Sequence, residues 1–160
     1  MIIRYILSIG AAIAGLAMMP QASIAQASTV TLVGDAKIVK TTALENGETR
    51  TELVAPTSAL PGDRVRFSTA YANTGAEPVQ GVVLTNPLPQ AVRLADDADA
   101  DLTVSVDGGA AWGRLADLTV RQDDGTTRPA SHADVTHVRW TLASVAPGER
   151  GERAYFAIIR

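Results

Sequence analysis

Closely spaced aspartates are the clearest candidates for metal chemistry in this sequence. Asp97, Asp99 and Asp101 alternate with other residues, and this spacing copies the first three ligand positions of a calcium loop, where carboxylates converge on a hard cation. An EF-hand would have glycine in place of Leu102 and a carboxylate in place of Gly108, so the complete motif is missing. The three aspartates are calcium candidates, and a solvated acidic loop that needs no ion is the alternative.

A second motif could carry carbohydrate chemistry. Residues 105–112 read SVDGGAAW, which resembles the S-x-D-x-G-x-x-W Asp-box, a hairpin repeated in sialidase-type propellers. Only one copy is present, and a propeller needs several blades, so the resemblance does not imply that fold. In a structural interpretation Asp107 and the two following glycines form a hairpin turn, and Trp112 packs over it. In a functional interpretation an exposed Trp112 stacks on a sugar ring, which makes it a ligand candidate and a glycan a candidate partner.

The remaining inventory argues against catalysis. The chain has two histidines and no cysteine. His132 and His137 are separated by an odd number of positions, so on one continuous strand they would point to opposite faces and could not share a metal. Phosphate-binding loops and dinucleotide fingerprints are absent from the sequence, and nothing places a carboxylate pair in a cleft. We therefore expect no enzyme, no catalytic residue and no cofactor.

The N-terminus has the pattern of a secretory signal peptide over residues 1–27. Arg4 precedes the uncharged run Tyr5–Met19, and Ala25-Gln26-Ala27 supplies a small-x-small cleavage site. Cleavage after Ala27 is the first choice, Ser23-Ile24-Ala25 offers a second site, and an uncleaved membrane anchor is the alternative. The uncharged run is shorter than the ~20 residues that span a bilayer. The protein is thus predicted to be periplasmic or secreted by the general secretory route.

The length and composition that remain after cleavage limit the number of domains and the kinds of partner. Removal of residues 1–27 would leave 133 of 160 residues, which is the size of one domain with a hydrophobic core. Without cysteine there is neither a disulfide nor a site for lipid attachment. Because Arg4 is the only charge removed, 13 basic and 17 acidic side chains would remain. This weak, dispersed negative charge predicts no nucleic-acid partner. No apolar run after residue 27 is long enough to hold the protein in a membrane, so we expect no stable membrane insertion after cleavage.

The stretch from Leu60 to Pro89 predicts two β-strands and the turns around them. Proline presets φ and glycine supplies positive φ in the turns, while alternating apolar residues indicate half-buried strands. In order, the stretch contains the turn Pro61-Gly62-Asp63, the strand Arg64–Tyr71, the turn Asn73-Thr74-Gly75, the strand Val79–Thr85 and the terminating Asn86-Pro87-Leu88-Pro89.

These residues resemble a known family, the conserved-repeat domain of bacterial envelope and surface proteins called domain of unknown function 11. The resemblance rests on the Pro-Gly-Asp turn, the Arg64–Tyr71 strand, Asn73-Thr74-Gly75 and the segment Thr85–Pro89. Where the family commonly has Asp-Pro, this chain has Asn86-Pro87. The motif-bearing part covers roughly a quarter of residues 28–160. The resemblance implies an immunoglobulin-like β-sandwich without shared catalytic residues.

The rest of the chain continues the β pattern. Asn46-Gly47 is a strong hairpin signal within residues 36–54, a further short strand is expected at residues 29–33, and later strands are expected near residues 91–94, 102–106, 118–120, 136–142 and 154–159. Charges on the first hairpin suit an exposed edge.

Seven to nine such strands indicate an all-β, immunoglobulin-like antiparallel sandwich, with a barrel as the alternative. We assign residues 28–59 to an N-terminal strand and hairpin that join the sandwich, and residues 60–160 to the conserved-repeat domain. The predicted core contains Phe67, Val82, Trp140 and Phe156.

The sequence indicates an exported, non-enzymatic envelope protein with a structural or protein-binding role. Its partner would be another envelope protein, or a second copy, added at a strand edge. The alternative function is a carbohydrate-binding accessory module that uses Trp112.

Overall fold

The computed structural model describes residues 29–57 and 59–160, which form β-strands and one short 3₁₀ helix, Leu115–Asp117. The predicted signal peptide lies outside the described residues. The strands are β1 (Val30–Ala43), β2 (Thr49–Val54), β3 (Arg64–Asn73), β4 (Val79–Pro87), β5 (Val92–Leu94), β6 (Thr103–Ser105), β7 (Gly113–Arg114), β8 (Thr119–Arg121), β9 (Thr127–Pro129), β10 (His137–Val145) and β11 (Arg150–Ile159).

Two antiparallel sheets form the body of the protein. Within the described residues, one sheet has five strands in the order β2-β1-β3-β11-β5, and the other has four in the order β4-β10-β6-β7. The strands β8 and β9 form a separate two-stranded ribbon. The all-β sandwich predicted from the sequence is confirmed, and the later strands expected after residue 90 appear as β5, β6, β8, β10 and β11.

The N-terminal hairpin is confirmed, but its first strand is longer than expected. The strand predicted at residues 29–33 and the first hairpin strand are one continuous strand of 14 residues, β1. Its first part, Val30–Val39, pairs with β3, while Ile38–Ala43 pairs with β2. Residues 40–52 therefore extend beyond the end of β3 as a two-stranded hairpin, which we call the hairpin arm.

The strands β3 and β4 form as predicted, but they do not pair with each other. β3 lies between β1 and β11 in the five-stranded sheet, whereas β4 is an edge strand beside β10 in the other sheet. The turn after Asn73 therefore carries the chain across the sandwich. Pro87 ends β4 and is tolerated there because an edge strand needs ladder hydrogen bonds on one side only.

The core lies between the sheets in two clusters of buried side chains. Trp140 is half-buried and packs against both clusters, Phe67 packs against the larger, and Val82 against the smaller. The larger cluster consists of Leu88, Val92, Leu94, Leu102, Val104, Val135, Val138, Tyr155 and Ala157. The smaller consists of Tyr71, Leu84, Leu142 and Val145.

The assignment of Phe156 to the core is wrong. Its neighbour Tyr155 is only 4% exposed and belongs to the larger cluster, so alternation along β11 turns Phe156 to the outer face. There the Arg64 guanidinium lies over the Phe156 ring, 4.2 Å from its centroid. Phe67, Val82 and Trp140 border the core and are not its most deeply buried side chains.

Candidate functional site

The turn between β6 and β7 is built around the carboxylate of Asp107. The backbone amides of Ala110 and Ala111 donate to Asp107 Oδ1 over 3.0 and 2.9 Å, and the Ser105 hydroxyl donates to the same oxygen over 2.7 Å. These donors, the Ala111 amide first, hold the pKa of Asp107 below its usual value. Gly109 follows with φ of 96°, a conformation that glycine adopts without strain. The Asp107 carboxylate therefore stabilises this turn.

Trp112 packs over this turn and is half-buried. Its Nε1 donates to the Gly109 carbonyl oxygen over 2.8 Å. The Arg139 guanidinium lies 3.5 Å from the centroid of the indole ring, and the His137 ring meets it edge-on with centroids 6.1 Å apart. Because Arg139 covers one face of the indole, that face is not open to a sugar ring. This geometry agrees with the structural interpretation of the motif.

The structure does not bring the three calcium candidates together. Both oxygens of Asp97 accept hydrogen bonds from Arg64 over 2.9 Å, and Asp99 Oδ1 accepts the backbone amide of Asp101 over 2.9 Å in a local turn. The bonds from Arg64 lower the pKa of Asp97. Within residues 29–57 and 59–160, no group of three acidic, histidine or cysteine side chains is placed to hold a metal ion.

The two histidines are also held apart. His132 lies in the loop before β10, with Nδ1 3.8 Å from Asp96 Oδ1, and the same Asp96 carboxylate accepts hydrogen bonds from Arg93 over 2.6 and 3.2 Å. His137 begins β10, and its Nδ1 is 3.0 Å from Thr136 Oγ1. Each histidine is half-buried and has its own local contacts, and the two do not lie on one continuous strand, because β10 begins at His137.

One ion pair that the sequence did not reveal organises the same loop. Asp134 receives hydrogen bonds from the Arg128 guanidinium over 2.6 and 2.7 Å, and from the amide and hydroxyl of Ser131 over 2.8 and 2.6 Å. The Arg128 bonds are the largest cause of a strongly lowered pKa at Asp134. The spacing of these residues resembles no motif, so no sequence pattern pointed to this ion pair.

An apolar cavity of about 370 Å³ opens beside this loop. Leu94, Leu102 and Leu115 form part of its wall, and Asp96 and His132 line it as well. Its volume is near the lower end of the range for small-molecule pockets. Segments far apart in the chain line it, so no local pattern could have predicted it.

A second feature that the sequence did not locate is an uncovered apolar strip on the inner face of β1, around Leu32. Leu32 pairs with the buried Tyr71 and faces the same side as Ile38, yet Leu32 is 51% exposed and Ile38 only 2%. A groove of about 330 Å³ lies next to this strip between β1, β3 and β4. The four-stranded sheet ends at β4 and has no strand that covers Leu32 in the described residues.

The free edge of β4 carries no charge. Its nine residues read VQGVVLTNP, whereas an edge that resists strand addition commonly carries charges, proline or a bulge. Gly81, with φ of 63°, and Pro87 interrupt the strand, so the regular, uncharged part of the edge is residues 82–86. No helix in the described ranges is long and apolar enough to cross a membrane.

Comparisons of the chain with protein families, with curated proteins and with solved structures found no match.

Proposed function

We propose that this protein is an exported, non-enzymatic envelope protein whose immunoglobulin-like sandwich binds an extended segment of another protein along β4. The single observation that carries the proposal is the uncharged free edge of β4 beside the uncovered apolar strip of β1. The resemblance of residues 60–89 to the conserved-repeat family and the two-sheet architecture support an immunoglobulin-like module.

A strand added at β4 would form hydrogen bonds with its free edge and would also cover the exposed Leu32 of β1. The added strand would receive main-chain hydrogen bonds from β4. It would also widen the four-stranded sheet to five strands and lie over the inner face of β1, where Leu32 is exposed. Side chains of the added segment that point inward would enter the groove lined by Ala36, Phe67 and Asn86. The expected partner is therefore an extended, uncharged segment with apolar residues at alternate positions.

The chemistry-bearing residues support a non-enzymatic role. Asp97 is bound by Arg64, Asp107 by turn amides and Asp134 by Arg128. These three carboxylates are held by local hydrogen bonds that stabilise loops and turns, which is the usual role of a structural carboxylate.

Selection from a displayed library of random peptides tests the binding proposal. Selected peptides should protect the free amides of β4 from hydrogen exchange. Leu32→Ser should weaken their binding, because it removes the apolar floor beneath the added strand. Val33→Ser is the matched control, since Val33 is 65% exposed and adjacent in sequence but lies on the outer face. Equal losses in both variants, or protection of another strand, would contradict the proposal.

N-terminal sequencing and cell fractionation test export. The protein recovered from a bacterial periplasm or medium should begin at Ser28, because Ala25-Gln26-Ala27 is the predicted cleavage site. A chain that stays in the cytoplasm with residues 1–27 attached would show that the export proposal is wrong.

A further inference from the structure

The outer edge of β2 differs from that of β4. β2 is the last strand of the five-stranded sheet, and five of its six residues are exposed. It forms half of the hairpin arm, whose two strands have no third strand beside them in the described residues. Isolated two-stranded hairpins are marginally stable in water, and a third strand stabilises them. The hairpin arm would therefore gain from pairing along β2.

Charges on an edge strand discourage pairing with strands whose charges do not match, so Arg50 and Glu52 restrict the partner of β2 to a strand with complementary charges. Arg50 and Glu52 point to the same face and form an ion pair over 2.7 Å. On the neighbouring strand, Lys40 lies opposite Glu52 and Thr42 lies opposite Arg50. A strand added outside β2 would lie beside the positive Arg50 and, two positions further along the same face, beside the negative Glu52. The best match is a strand with the reverse order, and an antiparallel copy of β2 has that order.

We infer that two copies of this protein associate through β2, antiparallel, with Thr51 opposite Thr51 of the second copy. In this register Arg50 lies opposite Glu52 of the second copy, and Glu52 lies opposite Arg50 of the second copy. Both pairs have opposite charge. The result is a four-stranded ribbon of two hairpin arms, in which positive and negative side chains alternate across one face.

Neighbouring registers on the same face are unfavourable. A shift by two residues in one direction places Glu52 opposite Glu52 of the second copy, and a shift in the other direction places Arg50 opposite Arg50. Like charges directly opposite each other destabilise a sheet. The other face is compatible with the inferred register, since Leu53, which is 47% exposed, would lie opposite Thr49 of the second copy.

The shape of the molecule allows this pairing. The hairpin arm extends beyond β3, so the outer edge of residues 49–52 lies clear of the sandwich body. In an antiparallel arrangement the two bodies lie at opposite ends of the ribbon. A six-residue edge buries less than the roughly 1,200 Å² of a standard interface, so we expect a weak dimer that forms at micromolar or higher concentration. This site is separate from the β4 edge, and the inference goes beyond the proposed function.

Charge-reversal variants test the inference by sedimentation velocity over a concentration series up to ~1 mM, where weak interfaces are populated. Arg50→Glu and Glu52→Arg should each weaken self-association at least about tenfold, because both cross-strand pairs become like-charged. An equimolar mixture of the two variants should form a heterodimer, and the double variant R50E/E52R should dimerise like the wild type. Lys37→Glu is the control, since Lys37 is an exposed charge outside β2.

Several outcomes would overturn the inference. A wild type that remains monomeric across the series, single variants that dimerise like the wild type, or a mixture that does not recover association would each do so. Leu32→Ser should leave self-association unchanged while it weakens peptide binding. Failure at β2 and failure at β4 are therefore distinguishable in the same set of proteins.

Discussion

The rings of Phe67 and Tyr155 stack with their centroids 5.2 Å apart and their planes 14° from parallel. The two residues are direct cross-strand partners on β3 and β11, two adjacent interior strands of the five-stranded sheet. Trp140 of the opposite sheet meets Tyr155 with ring centroids 6.2 Å apart. This aromatic contact joins the two sheets, and burial raises the pKa of the Tyr155 hydroxyl.

Tyr155 is therefore expected to matter much more for stability than its neighbour. Tyr155→Ala should lower the free energy of unfolding by about 3 to 5 kcal/mol, because it leaves a cavity between the sheets. Phe156→Ala should cost about 1 kcal/mol, since that ring lies outside the core beneath Arg64. Urea denaturation of both variants measures the difference, and equal losses would contradict the placement of the core.

Asn73 should be the most sensitive polar residue of the fold. It is 1% exposed, and its side chain donates to the carbonyl oxygens of Glu77 and Val145 over 2.8 and 3.0 Å while accepting the Gly75 amide over 2.9 Å. Asn73→Ala leaves these buried groups unsatisfied and should cost about 2 to 3 kcal/mol. Asn46→Ala, in the exposed hairpin turn, is the control. Denaturant unfolding that showed equal effects would contradict this role.

The Asp107 turn makes a prediction about local opening. Asp107→Ala should accelerate hydrogen exchange at the Ala110 and Ala111 amides, which donate to that carboxylate. It should also make the fluorescence of Trp112 easier to quench, because the indole packs on the turn. Asp123→Ala is the control, since Asp123 makes no hydrogen bond or ion pair in the described part of the chain. Unchanged exchange in the Asp107 variant would contradict the proposed role of its carboxylate.

The Asp134 ion pair predicts a pH dependence of stability. Its pKa is lower in the folded protein than in the unfolded chain, so ionised Asp134 stabilises the fold at pH values above the usual aspartate pKa of about 3.9. That contribution is lost as the pH falls below this value toward the lowered folded pKa. Asp134→Asn should therefore reduce the melting temperature at pH 7, and the difference from the wild type should shrink below about pH 4.

Thermal unfolding of both proteins between pH 7 and pH 2 measures this change. Asp123→Asn serves as the control and should track the wild type over the whole range. A deficit in the Asp134 variant that stayed constant down to pH 2 would show that the ion pair with Arg128 contributes no pH-dependent stability.

Local patterns predicted the strands and turns well. The alternation around Val65 and Val138 predicted β3 and β10, and Asn46-Gly47 predicted the first hairpin. These features depend on neighbours in sequence, where period-two alternation and the φ preferences of glycine act directly. The two-sheet architecture followed from the number and spacing of such strands.

Longer-range relationships could not be predicted in this way. Nearly every position of the Tyr155–Ile159 run is apolar, so periodicity could not decide whether Tyr155 or Phe156 faces the core. Asn73 suited a turn by residue type, but its bond to Val145 spans 72 positions. The bonds between Arg64 and Asp97 span 33. Such contacts are set by the packing of the sheets, which a single sequence does not display.

The position of β11 has a consequence for the order of folding. β11 lies between β3 and β5, so the five-stranded sheet cannot close until residues 150–159 are available to pair. β5 has no other partner strand among the described residues. During synthesis from the N-terminus, β1, β2 and β3 can pair before residues 150–159 exist, but the pairings of β3 and β5 with β11 cannot form until then. The five-stranded sheet is therefore assembled in two stages, and β5 joins it only after β11 has been made.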